Sequence, residues 1–77
     1  FFARGLGHLR AGDTGAAASD FGAANRRVPS GRTSAYLAYA HSLDGFSFQA
    51  EAAYRRAIDQ GFAPAWVRGT YGPGLSA

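Results

Sequence analysis

Apolar and small residues recur at helical spacing in four blocks, each closed by a turn signal. The first, about residues 1 to 11, stops at "AGDTG", where Gly12 suits a helix C-terminus and Asp13 or Thr14 can cap the next helix. The second, about 15 to 27, carries Ala17, Phe21 and Ala24 on one face and ends at "VPSGR". Pro29 cannot continue a helix there, and Ser30 can cap a new one. The third, about 31 to 43, turns Tyr36, Leu37 and Ala40 to one side and stops at Asp44 and Gly45. The fourth, about 47 to 60, has Ala50, Ala53, Tyr54 and Ala57 inward and ends at Gly61. No segment alternates with a period of two, so the expected fold is all-α.

The blocks repeat. His8 and His41, Gly12 and Gly45, Ala17 and Ala50, Phe21 and Tyr54, and Ala24 and Ala57 all stand 33 residues apart. In "GHLRAGDTGAAASDFGAANRRVP" and "LAYAHSLDGFSFQAEAAYRRAI" the chain resembles the tetratricopeptide repeat, a helix-turn-helix unit of about 34 residues. The residues carrying the resemblance are Gly5, Gly12, Ala17, Phe21, Ala24 and Pro29, then Leu37, Ala38, Gly45, Ala50, Tyr54 and Ala57. It implies antiparallel hairpins stacked as a short solenoid, with repeat 1 at about 1–30 and repeat 2 at about 31–63. Alanines let paired helices approach closely, and Phe21 and Tyr54 fill the wider space toward the next hairpin. Residues 64–77 would begin a third unit, but Pro73 between Gly72 and Gly74 breaks its helix, leaving a two-turn cap or, as favoured here, a truncated repeat. Trp66 is expected to pack. "AYLAYAHSL" followed by "AAYRRAIDQGFAPAWV" also looks like repeat arrays attached to bacterial serine/threonine kinases, whose catalytic part would lie outside this chain.

Composition narrows the chemistry. Seventy-seven residues hold one small domain with a modest core, and there is no cysteine to staple it or to bind metal. Two full repeats fall short of the three or so that stabilise an array, and helix-interior glycines weaken it further, so weak stability is expected. No apolar run approaches the roughly 20 residues that span a bilayer, and arginines and glycines interrupt the opening where a signal peptide would need an apolar core. A piece of a longer protein is expected, since the first residue is Phe1 rather than methionine; the absence of cysteine fits a cytoplasmic location, which a signal upstream of Phe1 would change. No serine, histidine and acid fall at nucleophile spacing and no phosphate-cradling loop is present, so neither catalysis nor a cofactor is expected. His8 and His41 occupy equivalent places, where two imidazoles of stacked helices could approach a metal, but no third ligand is evident and a half-buried packing role is preferred.

The basic residues are all arginine, and the net charge of +3 would attract phosphate backbones or acidic peptides. The doublets Arg26–Arg27 and Arg55–Arg56 are expected on a solvated convex face, which argues against nucleic acid. The resemblance implies a concave face lined by the first helices, with Phe2, Leu6, Leu9 and Arg10 in one unit and Arg32, Ala35, Tyr39, Ser42 and Leu43 in the next. Phe2, Leu6, Leu9, Arg10, Arg32, Tyr39 and Leu43 are the expected partner-binding residues. Phe2, Leu6 and Leu9 could equally pack on a preceding repeat. Relatives that grip chaperone tails clamp a carboxylate with lysines and asparagines; here Phe2, Ala35, Leu6 and Tyr39 stand at those places, so a peptide with apolar anchors and some negative charge is expected instead.

Overall fold

The computed structural model describes residues 1–62; the expectations about Trp66 and the 64–77 segment lie outside them. Four helices follow in order, α1 (Phe2–Arg10), α2 (Thr14–Arg27), α3 (Gly31–Leu43) and α4 (Ser47–Asp59), with no strand among the described residues. Each packs on the next, giving two helical hairpins stacked side by side. The expected blocks agree with the observed helices to within a residue or two at each end.

Helix ends explain that agreement. Gly12, Gly45 and Gly61 have φ of 84°, 80° and 88°, which a side chain would oppose. Each lies just beyond a helix whose last carbonyls are satisfied by the chain turning back: Asp13 N–H donates to the His8 carbonyl, Phe46 N–H to His41 and Phe62 N–H to Ala57, all at 2.9 Å. At the other end of α2, the Asp13 carboxylate accepts from Ala16 N–H at 3.1 Å. Ser30 departs from expectation. It occupies the N-cap of α3, but its hydroxyl makes no cap bond; its own N–H donates to Asn25 Oδ1 at 3.1 Å, tying the α2 end to the α3 start.

Two apolar clusters hold the stack. In one, Ala17, Phe21 and Ala40 are buried, with Phe2, Leu6, Leu9, Tyr36 and Leu37 packed around them. Phe21 bridges hairpins as its size implies, its ring centroid 5.5 Å from Phe2 and 5.8 Å from Tyr36. The other gathers Ala35, Ala38, Ala50, Ala53, Tyr54 and Ala57, with Ile58 and Phe62 against them. Gly5 sits inside α1 at the usual cost of an interior glycine, yet a Cβ there would lie 2.7 Å from Phe21 Cε1. The absent side chain is where the Phe21 ring fits.

Polar links cross between elements. Ser34, fully buried, donates through its hydroxyl to Gln60 Oε1 at 2.8 Å. The Thr14 hydroxyl donates to the Asp44 carboxylate, connecting the first turn of α2 to the end of α3. Asp20 is buried and takes three bonds from Arg4: Nη2 to Oδ1 at 2.8 Å, and Nε to Oδ1 at 3.1 Å and Oδ2 at 3.2 Å. His8 Nε2 lies 3.5 Å from the second carboxylate oxygen.

Those bonds from Arg4 hold the Asp20 carboxyl below the usual carboxylate range, outweighing the opposing effect of burial. A depressed folded pKa means stability present above the unfolded value, near 3.9, and lost as pH falls through the lower folded one. Thermal melts by circular dichroism from about pH 6 to pH 2 should therefore show a falling midpoint at the acid end, with a shallower fall in Asp20→Asn. An identical acid limb in that variant would remove Asp20 as its source.

Candidate functional site: the α3 stripe and the corner groove

Helical spacing places Arg32, Tyr39 and Leu43 along one side of α3, at i, i+7 and i+11. All three are exposed, Tyr39 by 40% and Leu43 by 53%. These two large side chains, one turn apart, keep a substantial part of their surface toward solvent, which makes the strip a candidate contact surface. Ser42, beside them, directs its hydroxyl to the Tyr39 carbonyl at 2.7 Å and so fastens the backbone rather than offering a free donor.

The seven residues expected to contact a partner divide into two groups. Arg10, Arg32, Tyr39 and Leu43 are exposed. Phe2, Leu6 and Leu9 are half-buried against the Phe21 cluster, so most of their apolar surface is spent within this chain rather than on a preceding repeat. Ala35, placed on the concave face by helical register, is fully buried in the Tyr54 cluster instead, because α4 covers that side of α3.

At the N-terminal end of the strip lies a groove of about 400 Å³, where the start of α1, the end of α2 and the start of α3 meet. Phe1, Phe2 and Val28 give it an apolar lining, and Arg27 and Arg32 flank it. Each arginine stacks on a ring: the Arg27 guanidinium carbon is 4.8 Å from the Phe1 centroid, and that of Arg32 is 4.7 Å from Phe2. Arg4 also reaches over Phe1, at 5.2 Å, while keeping its bonds to Asp20.

This corrects the expectation for one arginine. Arg27 belongs to the groove rather than to a purely convex face, because α2 ends in extended backbone at Val28 and its last turn abuts α1. The available signal was "RRVPSGR", in which arginines bracket the α2–α3 turn on both sides. Arg55 does behave as a solvated-face residue, paired with Glu51 at 3.2 Å one turn away. A second depression, on α4, is lined by Phe48, Glu51, Arg55, Arg56 and Asp59 and so carries both signs of charge.

The two histidines have different surroundings despite their equivalent places. His8 faces Asp20, whereas His41 lies edge-on to Phe46 with ring centroids 6.1 Å apart. Among the described residues no three histidine or acidic side chains gather as a metal site would require. No described helix is long and apolar enough to cross a membrane. Compared with protein families, with curated proteins and with solved structures, the chain matches none.

Proposed function

We propose that this chain is a non-catalytic interaction module of the tetratricopeptide kind, which binds a peptide or a partner protein along its first helices. The observation carrying the reading is the exposed strip of Arg32, Tyr39 and Leu43 on α3, with an apolar groove continuing from its Arg32 end. Aromatic and arginine side chains at such surfaces supply the anchoring contacts of many protein interfaces. Repeats of this shape bury little of their helices' outer faces and so leave long surfaces for a ligand. A cytoplasmic location, within a longer bacterial protein of further repeats, belongs to the same proposal.

The runner-up, nucleic-acid binding, has less support. Arg4 and Arg55 are occupied by Asp20 and Glu51, and Arg27 and Arg32 are drawn onto phenylalanine rings rather than arrayed along one basic face. A purely structural spacer would have little use for the exposed Tyr39 and Leu43.

The test is selection of binders from a random peptide library, followed by affinity measurements with two variants of unchanged helicity. Tyr39→Ala should weaken the selected peptide about tenfold, as loss of an aromatic anchor does. Arg10→Glu should weaken it severalfold. Unchanged affinity in both removes this face as the binding surface, and a purely structural spacer would yield no selected peptide.

A further inference from the structure

The corner groove is unusual in what it lacks. Arg27 and Arg32 flank it, yet among the described residues neither has a carboxylate partner, and the first turn of α3 contains no acidic residue. Ser30 leaves that helix start without a side-chain cap. The N–H groups of Arg32 and Thr33 therefore face the end of a helix with no side chain to accept from them, where the backbone dipole favours negative charge. Thr33, only 7% exposed, lines the same groove.

We propose that the groove takes a carboxylate from an acidic peptide segment, an aspartate or glutamate next to an apolar residue. This rests on the interaction reading above and names the chemistry of its partner. Stacking on Phe1 and Phe2 holds each guanidinium plane in place, leaving its N–H edges for a carboxylate. The apolar neighbour lies against Phe2 and Val28, and the rest of the peptide follows α3 toward Tyr39 and Leu43. Charge complementarity selects this occupant: two cations without a carboxylate partner among the described residues border one apolar depression, beside a helix start.

The experiment uses a fluorescein-labelled peptide with paired glutamates followed by leucine and phenylalanine, a copy with glutamine for each glutamate, and a single-stranded oligonucleotide of similar length. Anisotropy measures their binding to the 77-residue chain, to Arg27→Gln/Arg32→Gln and to Tyr39→Ala, with circular dichroism confirming equal helicity. The glutamate peptide should bind about tenfold or more tightly than the glutamine copy, with the preference lost in the double arginine variant. Equal binding of the two peptides, both weakened by Tyr39→Ala, overturns the carboxylate site but keeps the interaction reading. Binding of neither peptide overturns the carboxylate site and leaves the α3 strip to the library selection. Arginine-dependent binding of the oligonucleotide alone replaces the carboxylate with a phosphate backbone and overturns the proposal.

Discussion

Phe21→Ala should abolish the cooperative melt of this chain, at a cost of about 3–5 kcal/mol. Phe21 is fully buried and its ring is the joint between the hairpins, lying against Phe2 of α1 and Tyr36 of α3. Truncation leaves a void whose walls cannot easily collapse, because Gly5 has no side chain to offer and the neighbouring buried residues, Ala17 and Ala40, are short. A chain of this size holds only a few kcal/mol in total, so most of its stability would go. Thermal melting by circular dichroism reads the result directly. A cooperative transition within about 1 kcal/mol of the parent would mean that the stack does not depend on this ring.

Gly31→Ala should also destabilise, although alanine is by nature the better helix former by up to about 1 kcal/mol. A Cβ at Gly31 would lie 2.6 Å from Phe62 Cβ and 3.0 Å from the Ala57 carbonyl oxygen. Neither obstacle can rotate away, since Phe62 N–H is itself bonded to that carbonyl in the turn that ends α4. The start of α3 must therefore shift from α4, straining the buried Ser34–Gln60 hydrogen bond. Overpacking of this kind costs about 1–3 kcal/mol, a fall in melting temperature on the order of 10 °C for a domain this small. Gly7→Ala is the control, because nothing lies within 4 Å of the added methyl there. It should raise the midpoint by a few degrees, about 0.5–1 kcal/mol. Two glycine-to-alanine changes of opposite sign would separate packing from propensity, and equal effects would show that the approach of α3 to α4 is looser than described.

The sequence resolved the helices because helix formation is mostly local. Gly12, Gly45 and Gly61 announce chain reversals through a backbone conformation that other residues resist, and Pro29 stops α2 whatever surrounds it. The 33-residue match of Phe21 to Tyr54 likewise indicated two equivalent buried rings, and both are buried. The roles of the glycines were less legible. Gly5 and Gly7 look alike in the sequence, yet one faces the Phe21 ring and the other open space. The difference depends on how α1 is rotated about its axis when it meets α2.

The candidate surface was legible in part. The resemblance, with helical register, puts Arg32, Tyr39 and Leu43 on one side of α3, and they are exposed there. It could not say that Phe2, Leu6 and Leu9 would turn inward, that Ala35 would be covered by α4, or that Arg27 would fold over Phe1. Nor could it pair Arg4 with Asp20, because the equivalent places in the next repeat are Leu37 and Ala53 and the pattern carries no trace of the ion pair.

By itself, then, the sequence determined the four helices of residues 1–62, their ends and their pairing into repeated hairpins, all set by backbone preferences and by apolar spacing along single helices. Only the tertiary structure decided which glycines are spaces for another residue, which arginines are already paired, and where a groove opens between three helix ends. Those outcomes depend on side chains far apart in the chain meeting at distances of a few ångströms, which a one-dimensional period does not encode.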